Sequence, residues 1–231
     1  MLVAMPGLAH TYRKRVCDGM VRPMLECPLA PFLLVRKSLM NNEPITIVSG
    51  LPRSGTSMMM KMLEAGGLEA LTDNIRTADE DNPKGYFEFE RVKQIEDDKA
   101  WLEDARGRVV KLISALLKHL PPSYDYKVIF MRRAMPEILA SQRQMLIRRG
   151  EPADAVPDDK MAAMFEKHVA QVESWLAAQP NIQTVYVSYN EVMKDARPHA
   201  ELVNRFLGNT LKVDAMVGVA DAALYRQRRE R

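Results

Sequence analysis

Three groups of residues have the types and spacing that chemistry needs. The first is Pro52-Arg53-Ser54-Gly55-Thr56-Ser57, set between the apolar run Ile45-Thr46-Ile47-Val48 and a methionine-rich stretch over 58–64. A buried strand that passes through a glycine-bearing turn into a helix N-terminus makes an anion hole. Backbone N–H groups converge there, and the helix dipole adds positive potential. Gly50 and Gly55 have the spacing of the two glycines in G-x-x-x-x-G-K-[ST], and Ser57 falls on the final hydroxyl position. Thr56 stands where that motif has lysine, and the cation lies inside the loop instead, at Arg53. The expected ligand is a phosphate held by Arg53, Ser54, Gly55, Thr56 and Ser57.

The second group follows the apolar run KVIFM over 127–131. Arg132 and Arg133 leave what reads as the carboxyl end of a strand, where open α/β sheets bind ligands. Pro136 suits the first turn of a following helix. Ser141 lies about one and a half turns further on and can reach the same anion. Arginine gives bidentate phosphate contacts, and either Arg132 or Arg133 fits that role. The third group is the loop over 73–90, DNIRTADEDNPKGYFEFE, with aromatics beside carboxylates. It reads as a lid for a second substrate or as a solvated acidic loop anchored by its aromatics.

The elements around these groups alternate. Apolar runs at 45–48, 109–113, 127–131 and 184–187 read as buried strands, with a short one at 68–71. Helical patterns separate them: 58–64 ending at Gly66-Gly67, 91–102, 114–120, the segment after Pro136, a long amphipathic helix capped by Asp158, and 191–207. Strands joined by helices imply crossovers and a parallel sheet. The expected fold class is therefore α/β, a three-layer sandwich with a central parallel sheet over 44–231. Residues 1–43 form an N-terminal extension packed on that core. His168 lies on or beside the apolar stripe of the long helix and reads as a packed histidine.

At 231 residues the chain has room for one sizeable core, and 47% apolar with 27% charged residues is an ordinary globular composition. A net charge of +3 suits one anionic pocket and gives no ground for a nucleic-acid partner. Cys17 and Cys27 set up neither a disulfide framework nor a zinc site, which points to a cytoplasmic location. No apolar stretch reaches the roughly 20 residues of a membrane span.

PRSGTS resembles the 5′-phosphosulfate loop of sulfotransferases, P-[KR]-[SA]-G-T-[ST]. RAMPEILAS, residues 133–141, resembles their 3′-phosphate motif, R-x-x-x-[DE]-x-x-x-S, with Arg133 and Ser141 on its marked positions. NPKGYFE, VSYNEVMKD, NRFLG and the closing LYR are softer matches to the same family. The resemblance implies a P-loop nucleoside triphosphate hydrolase-like fold. It also implies a donor, 3′-phosphoadenosine-5′-phosphosulfate (PAPS), with no metal, and in-line transfer of the sulfuryl group to an acceptor hydroxyl or amine. On this reading Arg53 is catalytic, Thr56 and Ser57 hold the 5′-phosphate, and Arg133, Ser141 and the tail residue Arg226 hold the 3′-phosphate. Lys111 matches a family lysine, but Ile113 occupies the position where many members have their basic histidine. Glu88 is the expected base, with Asp79 and Glu80 as alternatives. The acceptor is a small molecule, carbohydrate or peptide, and the extension offers a homodimer contact. Two other readings compete: a P-loop kinase or nucleotidase using ATP and magnesium with Arg53 in place of the lysine, and a non-catalytic nucleotide-binding relative.

Overall fold

The β-branched run forms strand β1 (Ile45–Gly50), with all six residues buried. Burial on both faces is what a central parallel strand requires. Residues 43–73 and 87–220 are described by the computed structural model. The extension before Glu43, Asp79, Glu80 and Arg226 lie outside the described residues. Strong helix formers after the loop make helix α1 (Thr56–Gly66), which Gly67 ends in the left-handed region at φ 103°.

Three more strands complete a four-stranded sheet: β2 (Val109–Lys111), β3 (Tyr126–Arg132) and β4 (Ile182–Ser188). Their order is β2-β1-β3-β4, and every pairing is parallel. The run over 68–71 contributes only an isolated bridge, Ala70 to Val109, so the expected extra strand is absent. The chain leaves β1, visits one neighbour and returns on the other side to β3. That reversal opens a crevice at the carboxyl ends of β1 and β3. Gly50 pairs with Met131 there, so the loop after β1 and the arginines after β3 start side by side.

Alternation along the strands splits the core in two. Ile45, Ile47, Val128 and Phe130 face a cluster with Trp101, Leu102, Leu117 and Leu176. Val48, Ile129, Met131 and Val187 face Met59, Met60, Met62 and Leu63 of α1. Helix α2 (Met135–Arg148) carries Pro136 in its first turn, as the ring's fixed φ favours. Helix α3 (Asp158–Ala177) packs Val169, Val172 and Trp175 on the first cluster. Helices α4 (Tyr189–Lys194), α5 (Ala196–Leu207) and α6 (Val213–Val217) cover the second. Helices thus flank both faces of the sheet.

Two expected elements differ. Pro157, not Asp158, is the N-cap of α3, and Asp158 sits in the first turn, where its carboxylate meets Arg143 at 3.3 Å. The single helix expected over 91–102 is two short 3₁₀ turns, Glu90–Gln94 and Ala100–Leu102. Asp98 breaks it: its carboxylate takes the Arg91 guanidinium and the Ala100 N–H, which holds a turn between the two pieces.

Candidate functional site

The loop after β1 is shaped by backbone that side chains tolerate badly. Gly50 has φ 149°, and a Cβ there would lie 2.6 Å from the Met131 carbonyl oxygen. Gly55, the N-cap of α1, has φ 97°, and a Cβ there would lie 2.4 Å from the Tyr189 ring. Between them Arg53 itself adopts φ 69°, unusual for a residue with a side chain. Among the described residues no N-cap side chain accepts from the first turn of α1. Gly50→Ala is expected to destabilise the fold by about 2–4 kcal/mol in urea titration. Gly150→Ala, also at positive φ but with open space around it, should cost only about 1 kcal/mol. Equal losses at both positions would mean that close packing at Gly50 contributes nothing.

Side chains from three distant segments meet over this loop. Arg53 Nε donates to Ser141 Oγ at 2.9 Å. Arg133 Nη1 donates to the Arg53 carbonyl oxygen at 3.0 Å. Arg133 Nε also pairs with Glu137 at 3.0 Å, with the two side chains only 8% and 4% exposed. Asn190 completes the arrangement: its Nδ2 donates to Glu137 Oε1 and its Oδ1 accepts the Ala134 N–H, both at 2.9 Å. The Arg133 guanidinium stacks 4.5 Å from the centre of the Tyr189 ring, whose edge abuts Gly55. A buried ion pair with further hydrogen bonds on both partners fixes the arginine's position far better than a surface pair would.

The neighbouring arginine goes elsewhere. Arg132 pairs with Glu173 at 2.8 Å and lies over the Tyr186 ring at 4.0 Å. Burial, and after it the Glu173 carboxylate, raises the Tyr186 phenol above its ordinary range. Arg132 and Arg133, which the sequence left as alternatives, are therefore separated: Arg133 reaches the loop and Arg132 does not. Beside them lies a cleft of about 280 Å³, lined by Leu51 and Ser54 of the loop, Met135 and Ile138 of α2, and Glu166, Val169 and Ala170 of α3. Ser54 Oγ is buried without a hydrogen-bond partner among the described residues.

On the other side of the loop, Lys111 Nζ donates to Ser57 Oγ at 3.3 Å. Glu88 Oε1 lies 3.9 Å from the same ammonium. Glu88 is held there by its own segment, where its carbonyl accepts from Thr72 Oγ1 and the Asp73 N–H. The flanking aromatics anchor that segment. Phe87 is buried against the α1 side of the sheet, and Phe89 meets Trp101 edge-on at 5.7 Å. Of the two sequence readings for this loop, these two rings follow the anchoring one.

The residues expected to hold and neutralise an anion are thus gathered at the crevice of a parallel sheet. A family model described as "Sulfotransferase domain" matches residues 43–230. The chain belongs to the sulfotransferase family. No curated protein matches the sequence. Three solved structures resemble this sulfotransferase at 16% identity. The sulfotransferase domain of the Synechococcus PCC 7002 olefin synthase is covered over 84% of its chain and 81% of this one, with a TM-score of 0.46. Sulfotransferase STF1 of Mycobacterium tuberculosis H37Rv is covered over 74% against 83%, with a TM-score of 0.48. Mouse sulfotransferase SULT7A1, solved with PAP, is covered over 66% against 79%, with a TM-score of 0.44.

Sulfuryl transfer is the reaction of this family, and PAPS is the family's general donor. Sequence motifs in the sulfotransferase marked Arg53, Thr56, Ser57, Arg133 and Ser141, and the fold brings these into one neighbourhood. Of the supporting residues they marked one. Glu137 was legible as the acidic position of R-x-x-x-[DE]-x-x-x-S. Asn190 and Tyr189 fell only within the soft match VSYNEVMKD, which gave no hint of their partners more than 50 positions away. Asn190 turns inward, while Glu191 pairs with Lys194 on the surface. Among the described residues no helix is long and apolar enough to cross a membrane.

Proposed function

We propose that this sulfotransferase holds PAPS across the crevice, with the 5′-phosphosulfate on the loop and the 3′-phosphate at the start of α2. The observation that carries the reading is the Arg53–Ser141 and Arg133–Arg53 bonding, which joins two anion-binding motifs 80 or more positions apart. One nucleotide with phosphate at both ends of its ribose spans such a pair, and a nucleotide with a single polyphosphate chain does not. The residues fit that ligand chemically: two guanidiniums, a lysine on Ser57 and an uncapped helix N-terminus match a highly anionic donor.

In this arrangement Thr56 and Ser57 hold the 5′-phosphate with the first-turn amides. Arg53 stabilises the bridging oxygen, where negative charge builds as the S–O bond to the donor breaks. Gly55 lets the backbone come close, and Ser54 packs beneath it. Arg133 and Ser141 hold the 3′-phosphate and so discriminate against ATP, with Arg226 of the tail as a third contact. The acceptor is a hydroxyl or amine of a small molecule, carbohydrate or peptide. A sequence with two cysteines and no disulfide framework supports a cytoplasmic setting.

Thermal shift tests this directly. Adenosine 3′,5′-bisphosphate at about 100 times its Kd is expected to stabilise the protein by about 2.7 kcal/mol without magnesium, and ATP much less. Magnesium-dependent stabilisation by ATP, with no response to the bisphosphate, would favour a P-loop kinase instead.

A further inference from the structure

Helix α3 turns one stripe toward the loop after β1. Glu166, Val169, Ala170 and Glu173 follow at i, i+3, i+4 and i+7, so a single face carries all four. That face walls the cleft of about 280 Å³ whose opposite wall includes Leu51 and Ser54 of the loop. The floor is carbon: Phe130, Met131 and Ile138 line it, and each is 1% exposed. One polar atom of the wall is left unused. Ser54 is 1% exposed, and its Oγ has no hydrogen-bond partner among the described residues.

Charge decides the occupant. Arg132, Arg133, Glu166 and Glu173 are the ionised side chains of the lining. Arg132 is matched by Glu173 at 2.8 Å, and Arg133 by Glu137 at 3.0 Å. Glu166 is matched by nothing: it has no ion pair or hydrogen bond among the described residues. Two helical turns, about 10.5 Å along the axis, separate it from Glu173, so the Arg132 guanidinium is committed at the other end. The cleft therefore keeps one net negative charge beside an apolar floor. An anion is repelled by that charge, and a neutral hydrocarbon leaves it unpaired. An organic cation with an apolar body satisfies both. Ligand sites for drug-sized molecules span about 300–1,000 Å³, so this smaller volume suits a single ring on a short chain.

We propose that this cleft is a second ligand site that takes a small primary amine, with its ammonium on Glu166 and its apolar body against Phe130, Met131 and Ile138. Leu51 and Ser54 belong to the donor loop, and Arg133 bonds the Arg53 carbonyl, so amine and donor share a wall. A cation held there favours an anionic nucleotide on the loop, and by linkage the nucleotide favours the amine by the same factor. This coupling alone rests on the donor-site reading given above; the amine site itself does not.

The test is an NMR titration of the full chain with phenethylamine at neutral pH. Phenylacetate serves as the anionic counterpart and benzyl alcohol as the neutral one. Phenethylamine is expected to bind with a Kd of about 5 mM or tighter, and phenylacetate at least about threefold more weakly. Glu166→Gln should weaken phenethylamine at least about threefold and leave benzyl alcohol unchanged. Ala170→Trp fills the cleft from an exposed helix position and should weaken amine and alcohol alike, by at least about threefold. Both substitutions lie on the exposed side of α3, and circular dichroism should match wild type. Saturating phenethylamine should tighten adenosine 3′,5′-bisphosphate at least about threefold. A weaker Kd for phenethylamine, any of these ratios falling short, or an equal loss of benzyl alcohol in Glu166→Gln overturns the proposal. Failure of the donor-site reading looks different: phenethylamine binds and both variants lose it as expected, while the bisphosphate does not bind at all, which leaves the amine site standing.

Discussion

Arg53→Ala should reduce sulfuryl transfer by about 10²–10³-fold while weakening adenosine 3′,5′-bisphosphate by no more than about tenfold. The asymmetry follows from where charge appears. On the proposed reading, the 5′-phosphate in the ground state would be shared among Lys111, the first-turn amides and the hydroxyls of Thr56 and Ser57. In the transition state new negative charge falls on the bridging oxygen, and Arg53 is the loop's own cation. An interaction that strengthens only in the transition state shows in kcat rather than in binding. The backbone at Arg53 is in the left-handed region, so alanine inherits the same conformational cost and the substitution isolates the side chain. Arg53→Lys should recover part of the rate by restoring charge without the planar fork. Steady-state kinetics beside calorimetric binding separates the two effects. A kcat for Arg53→Ala within threefold of wild type would remove Arg53 from the chemistry.

The largest expected effect on stability lies at Glu137. Glu137→Ala should destabilise the protein by about 3–5 kcal/mol, the usual result of deleting one partner of a buried ion pair. The carboxylate satisfies two groups at once, the Arg133 guanidinium and the Asn190 amide, and the guanidinium is only 8% exposed. For a chain of this size that is a fall in Tm of roughly 10 °C. Glu137→Gln keeps an acceptor for Asn190 but loses the charge, and should fall between. Urea titration checks both. A loss below about 1 kcal/mol in Glu137→Ala would mean that water replaces the carboxylate and that Arg133 is not held by it.

What the sequence revealed and what it hid divide along a physical line. The strand at 45–48, the loop and α1 were readable because they are local: β-branched residues, paired glycines and helix formers act over a few positions. The parallel sheet followed from alternation of such segments. The helix expected over 91–102 failed because Asp98 offered the backbone a competing turn. The strand expected over 68–71 shrank to a bridge, with Leu71 N–H bonded to the Val109 carbonyl and little beyond it to pair. Around the site, Arg53 and Arg133 stood out by motif, whereas the choice between Arg132 and Arg133 depended on which face of the sheet each side chain meets. Glu173 and Tyr186 took one, and Glu137 and Tyr189 took the other. Glu137 was within reach of a local motif, but Glu173, Tyr186 and Tyr189 come from α3, β4 and α4, and no local pattern couples them to the arginines.

The Arg133 bond to the Arg53 carbonyl has a consequence for how fast and how tightly a nucleotide is caught. With the Ser54 N–H on the Leu51 carbonyl and the Met59 N–H on the Gly55 carbonyl, it holds the turn in its receptive shape through protein contacts alone. The entropy of ordering that segment is lost when the chain folds, not when the donor arrives. On the proposed reading, capture would resemble docking into a rigid mould, with little of the free energy of phosphate binding offset by ordering the loop.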